Sequence, residues 1–167
     1  MKLLTIVKLF LPAFWLGAAL FFSVAVAPAA FSVLRGFAVP NASEIAGTIV
    51  TRTLAIVSVS GFVVGLLVLL TTLAVRRHIA KRAFLVQCIS AIVLAASTGV
   101  GHWIIAARMR ALRVAMVLPI DQVAVDDPRR IAFNDLHGYS ATALGIAMIA
   151  GLVAFLTVAY RTFGDKA

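Results

Sequence analysis

The side chains with the most specific chemistry in this sequence are two of its three histidines, one cysteine and a few methionines. His102 stands in TGVGHW and His137 in LHGYS, each toward one end of a long apolar stretch. Imidazole titrates near neutral pH and is the commonest ligand of haem and metal ions, so such a pair points first to haem or a metal. Spacing argues against one shared ion: His102 precedes Leu118 by 16 residues, whereas His137 follows Pro128 by 9. Around a hairpin tip, that mismatch of seven residues is roughly 10 Å of helical rise. Each histidine is then expected to hydrogen-bond between helices or at the membrane boundary. A second series, Cys88, Ala95, His102, Met109 and Met116, recurs every seven residues. Thiol, imidazole and thioether suit a soft ion such as Cu(I), which makes Cys88, His102, Met109 and Met116 the metal candidates. Steps of about 10.5 Å prevent any two from holding the same ion, and a seven-residue period is equally the mark of a helix seam facing a neighbour. The expectation is packing, with no cofactor; haem or copper is the alternative.

The stretch RIAFNDLHGYS, residues 130–140, adds an acid, Asp135, to His137. On a helix, Phe133, His137 and Ser140 share one face at spacings of four and three, with Asn134 and Tyr139 at its sides. That face is expected to meet Arg108, Arg110 and Arg113. Asp135 or His137 should pair with one of these arginines, because an acid near lipid is costly alone. Arg108, Arg110, Arg113, Asn134, Asp135, His137 and Ser140 thus form the candidate functional polar cluster. The apolar stretches contain no second poised carboxylate, nucleophile motif or phosphate loop, so no catalytic residue is expected and the protein reads as non-enzymatic.

These residues need elements to hold them, and the composition says which. Of 167 residues, 63% are hydrophobic and 13% charged, with a mean hydropathy of +1.09. That excludes an ordinary water-soluble domain. The net charge of +9 comes from Lys and Arg lying between apolar blocks, which reads as membrane anchoring and not as a nucleic-acid face. Four windows free of Asp, Glu, Lys and Arg, residues 9–34, 53–75, 83–107 and 138–160, have 26, 23, 25 and 23 residues. Each is long enough to cross a core of roughly 30 Å as a helix. The expected fold is all-α, a single domain forming a four-transmembrane-helix bundle. The first apolar run is too long for a signal-peptide core, so it reads as an uncleaved helix with a kink at Pro28.

The third and fourth helices are expected to extend beyond the bilayer as a helical hairpin. AARMRALRVAMV continues a helical pattern as far as Pro119, and Asp126 or Asp127 caps a helix that starts at Pro128 and runs through Tyr160. Asn41 or Ser43 is expected to cap a helix leading into the second span. The loop RRHIAKR, residues 76–82, is the densest basic segment. With four spans it shares a face with both termini, giving eight Lys and Arg there (Lys2, Lys8, Arg76, Arg77, Lys81, Arg82, Arg161, Lys166) against seven opposite. By the positive-inside rule both termini are expected in the cytoplasm, in a bacterial inner membrane. Small residues mark helix packing: Gly61 and Gly65 in the second span, and Ala91, Ala95 and Gly99 every four residues in the third. The latter seam is the candidate contact for a homo-oligomer or another membrane protein.

Several stretches, in order, resemble one family. Trp15-Leu16-Gly17, Phe21-Phe22-Ser23 and Ala27-Pro28-Ala29-Ala30-Phe31 with Leu34 resemble the first helix of the transmembrane protein 205-like family, domain of unknown function 4149. Ala46-Gly47-Thr48-Ile49-Val50 resembles its first loop, Arg108 to Arg113 the segment after its third helix, and Phe133 with Leu136-His137-Gly138 and Ser140 the start of its last. The sequence departs from the family at residue 144, a Leu where members often carry Asn. The resemblance implies a small four-helix membrane protein; a vertebrate member is associated with resistance to platinum drugs, which hints at handling of a small solute or soft metal. Three readings follow: a protein that transports or senses a small solute, a haem- or metal-binding redox subunit using His102 or His137, and a structural accessory subunit of a larger complex.

Overall fold

The structure, a computed structural model, describes residues 2–163 and shows six α-helices, with no strand among the described residues. Four of the sequence's long apolar stretches become four antiparallel crossings. The first joins α1 (Lys2–Phe21), a π-helical turn (Phe22–Val26) and α2 (Ala27–Gly36). The second is α3 (Ala42–Ala74); the third joins α4 (Lys81–Gly99), a second π-helical turn (Val100–Ile105) and α5 (Ala106–Ala115); the fourth is α6 (Pro128–Phe163). All four, Leu4–Gly36, Ala42–Ala74, Lys81–Ala115 and Pro128–Thr162, are long and apolar enough to cross a membrane. At 33 to 35 residues they exceed the roughly 20 that a bilayer core requires. Charge ends a membrane window but not a helix: Ala, Leu, Arg and Met are all strong helix formers, so the flanks stay helical.

The helices form a ring in chain order, each crossing packed on the next and the fourth on the first. Its tightest layer is built from small residues around Trp15. The Trp15 indole is 3% exposed and donates Nε1–H to the Val57 carbonyl at 2.9 Å. A Cβ on Gly61 would fall 2.7 Å from that ring and from the Thr98 methyl, and one on Gly151 would fall 3.2 Å from it. One tryptophan therefore joins the first, second and fourth crossings, with Thr98 of the third packed on Gly61 beside it, because two glycines leave the space its ring occupies. One turn further along α3, a Cβ on Gly65 would lie 2.8 Å from the Ala95 backbone nitrogen and 3.0 Å from the Ala91 oxygen. Backbones this close gain dispersion contacts that larger side chains would forbid. The Ala91 and Ala95 seam is thus occupied inside the protomer, with Ala91 fully buried. Gly99 lies beside Phe62 and Trp103.

The two ends of the bundle differ. At the basic end, Arg161 Nη2 donates to the His78 carbonyl at 3.3 Å, which holds α6 against the turn Arg76–His78. Lys166, also assigned to this end by the charge count, lies outside the described residues. Beyond Gly65, Thr72 donates to Gln87 Oε1 at 3.3 Å between fully buried side chains, which satisfies two polar groups that lipid would not.

The π-helical turns explain where the helices yield. Proline has no N–H and its ring crowds the carbonyl four residues earlier. Ahead of Pro28, the Ala27 N–H reaches back five residues to the Phe22 carbonyl, so the disturbance expected at Pro28 is taken up by a π turn. In the third crossing the Ala106 N–H does the same to Gly101. The extra residue there shifts the helix phase, so the seven-residue series from Cys88 to Met116 does not run along one face.

Candidate functional site

Toward the other end, α2 packs on α3 and α5 on α6, while α3 scarcely touches α5 and α2 scarcely touches α6. The two pairs splay, and a cavity of about 520 Å³ opens between α3, α5 and α6. Such a volume suits a small organic ligand. Ser58 sits near its floor, and Ser140 in its wall is also buried. The wall is largely apolar, from Leu54, Ala55, Ala106, Met109 and Phe133 with Phe31 of α2. Gly47 and Gly101 also line it, and a Cβ on either would meet nothing within 4 Å.

Cations dominate its polar part. Arg52, Arg110, Arg113 and Arg130 line it against two acids, Glu44 and Asp121. Both acids are engaged. Glu44 takes the Arg113 Nε on both oxygens, at 2.8 and 2.7 Å, and the Ile120 N–H at 3.1 Å. Asp121 accepts from the Glu44 N–H at 3.1 Å. Arg130 is held by the Val123 carbonyl. Arg52 and Arg110 make no hydrogen bond or ion pair with the described residues, and their guanidinium groups remain available.

These contacts close the cavity at this end as a clasp between residues 41–44 and 113–122. α3 starts at Ala42 after Asn41, whose backbone is left-handed (φ 55°) and whose side chain makes no cap. The expected local cap is replaced by Asp121, which receives the amide of the first helical turn from 77 residues away, while Asn41 Oδ1 accepts from Gln122 Nε2 at 2.9 Å. The Ser43 hydroxyl, followed by the backbone amides of Glu44 and Ser43, holds the Asp121 carboxyl below its usual range. A carboxylate at a helix N-terminus also meets the positive end of the dipole. The other edge has an ordinary cap: Asp127 accepts the Arg129 N–H at 2.8 Å and opens α6 at Pro128. Its carboxyl is drawn down to about 2, first by the Arg129 side chain.

Of the sequence-derived polar cluster, Arg110, Arg113, Asn134, His137 and Ser140 line the cavity, and Phe133 lies on the same face. Arg108 and Asp135 are exposed and lie outside it. The expected pairing of Asp135 or His137 with an arginine is replaced by Arg113 with Glu44, at 2.7 Å. The reason is reach: the clasp loop brings α3's first turn over Arg113, while Asp135 points away. Both histidines line the cavity, at different depths. Thr98 touches the Gly61 position and Trp15 the Gly151 position. His102 lies four residues above the first and His137 fourteen above the second, about 6 and 21 Å from that layer. A separation of about 15 Å far exceeds the span of two imidazoles on one ion, each within about 2.1 Å of it. Among the described residues no three His, Cys, Asp or Glu side chains converge. Cys88 is half-buried, and Met116 is buried beside the clasp.

Sequence reasoning missed Glu44, Arg52, Asp121 and Trp15. Glu44 carried a signal: it is the only acid before Asp121 in a strongly cationic chain. The family model described as Domain of unknown function (DUF4149) matches residues 10–117, which include the cavity walls from α3 and α5 and end before Asp121 and α6. No curated protein and no solved structure matches the chain.

Proposed function

We propose that this chain, which belongs to the DUF4149 family, binds a small solute in the clasped cavity as a step in transporting or sensing it across a membrane. The observation that carries this reading is the cavity itself: about 520 Å³ within a bundle of membrane-length helices, closed over by an ion-paired clasp and furnished with unengaged arginines. The transmembrane protein 205-like resemblance agrees with it, through Phe133, His137 and Ser140, which all face the cavity. The basic loop at residues 76–82 supports placing both termini in the cytoplasm of a bacterial inner membrane. The clasp, with the ends of α5 and α6, then forms a hairpin standing on the opposite side. With its small-residue seam used internally, an oligomer of this chain would associate through other faces.

The test fills the cavity. Ala55→Trp places an indole against Leu54 and Ser58, leaving the Trp15 layer intact. Purified wild type should retain or regain a small molecule detectable by mass spectrometry, and Ala55→Trp should lose it while keeping its helix content. If both proteins carry the same molecules, the cavity is not the binding site and the accessory-subunit reading takes its place. A Soret band that vanishes in His102→Ala would favour the redox reading.

A further inference from the structure

Resting on the cavity as a solute site, we infer that its ligand is an amphiphilic anion, a phosphate or carboxylate on an apolar chain, held by Arg52 and Arg110. Three observations carry this. First, the charges do not balance: Arg113 is neutralised by Glu44 and Arg130 faces Asp121, which leaves Arg52 and Arg110 without counter-charges. Both side chains are exposed at the rim of an apolar wall, so an anion can reach them without displacing a partner. A guanidinium also presents the paired donors that fit phosphate and carboxylate oxygens.

Second, these arginines share a level. Arg52 is nine residues above Gly61 and Arg110 twelve above Thr98, about 14 and 18 Å from the Trp15 layer. Ser140, eleven residues above Gly151, lies at about 16 Å and offers a hydroxyl at the same height. All three line the same cavity from different helices at similar heights, where one headgroup would bridge them.

Third, the wall below this level is mostly apolar, with His102 and Ser58 as its polar members. Between Arg52 and the floor at Ser58, about 9 Å lower, the α3 side is Leu54 and Ala55, faced by Ala106. A free inorganic anion would leave that surface in contact with water, whereas a chain of several methylenes would cover it, at about 0.8 kcal/mol for each methylene buried.

The experiment uses the full chain in nanodiscs of phosphatidylcholine. Octyl phosphate tests a free amphiphile, inorganic phosphate the headgroup alone and octyltrimethylammonium the opposite charge; nanodiscs containing phosphatidylglycerol test a bilayer lipid. Octyl phosphate or phosphatidylglycerol should bind, and whichever does identifies the source. Inorganic phosphate and the ammonium should bind at least about ten-fold more weakly. Arg52→Gln with Arg110→Gln should cost about ten- to hundred-fold in affinity, Arg52→Lys with Arg110→Lys should restore part of it, and Arg108→Gln, outside the cavity, should change nothing. Circular dichroism confirms that each variant folds. Equal binding of cation and anion, lost in Ala55→Trp, would overturn the anion inference and spare the cavity. Anion binding unaffected by both Ala55→Trp and the paired glutamines would overturn both.

Discussion

The Trp15 layer and the clasp are two ways of joining the same four helices. Around Trp15 the helices meet through absent side chains: Gly61, Gly65 and Gly151 leave room for an indole and for neighbouring backbones. At the clasp they are held apart and bridged by charge, with Glu44, Arg113 and Asp121 spanning the gap. In lipid there is little hydrophobic drive to press one helix on another, so close packing is what makes an assembly stable. A bridge of ions and hydrogen bonds near the boundary is weaker and can open without dismantling the layer beneath. The difference assigns stability to one half of the bundle and, on the proposed function, ligand handling to the other.

Trp15→Ala breaks the comparison at its strong side. It removes a buried indole, its bond to Val57 and the filling beside two glycines. Truncations of this kind cost about 3–5 kcal/mol. The detergent-solubilised variant should therefore show a much lower melting temperature by circular dichroism, or fail to accumulate. A melting temperature within a degree or two of wild type would mean that the layer is not the anchor.

Glu44→Gln tests the weak side. The Glu44 and Arg113 side chains are 28% and 24% exposed, so screening reduces the value of the pair to about 1–2 kcal/mol. The loss should be local: amide exchange at residues 38–46 and 113–122 should speed by about ten-fold while that around Gly61 and Thr98 stays slow. A uniform acceleration through all four crossings would show that the clasp and the layer unfold together, and the division into two halves would fail.

How much of this was legible in the sequence follows the same division. The four crossings could be read from uncharged windows, because lipid admits few other structures for such segments. The Phe133, His137 and Ser140 face could be read too, since helical spacing alone puts those residues together. A cap at Asp126 or Asp127 was visible for the same local reason, and the structure places it at Asp127. What escaped was long-range: Asp121 caps a helix 77 residues away, and Glu44 displaces Asp135 as the arginine partner. No local pattern encodes which loop folds over which helix. Trp15 was quoted as part of a family resemblance, yet its role depends on two glycines in other crossings. The π turn at Val100–Ile105 was likewise silent, and it is what breaks the seven-residue series that had suggested a metal path.

The smallest effect expected is a response of the clasp to acid. Asp121 and Asp127 both have carboxyls below their ordinary value of 3.8, Asp127 at about 2. A depressed carboxyl contributes stability that is complete above its unfolded pKa and disappears as pH falls through the folded one. The contribution is therefore constant from neutral pH down to about 4 and lost between there and about 2. A spin label at Ala124→Cys in a Cys88→Ala background should keep the same mobility from pH 7 to about 4 and loosen only below that. Asp121→Asn should weaken the bridge already at neutral pH and flatten the acid response. If mobility instead changes between pH 5 and 7, these two carboxyls do not set the response of the clasp, and the boundary between its two edges and the cavity beneath would have to be redrawn.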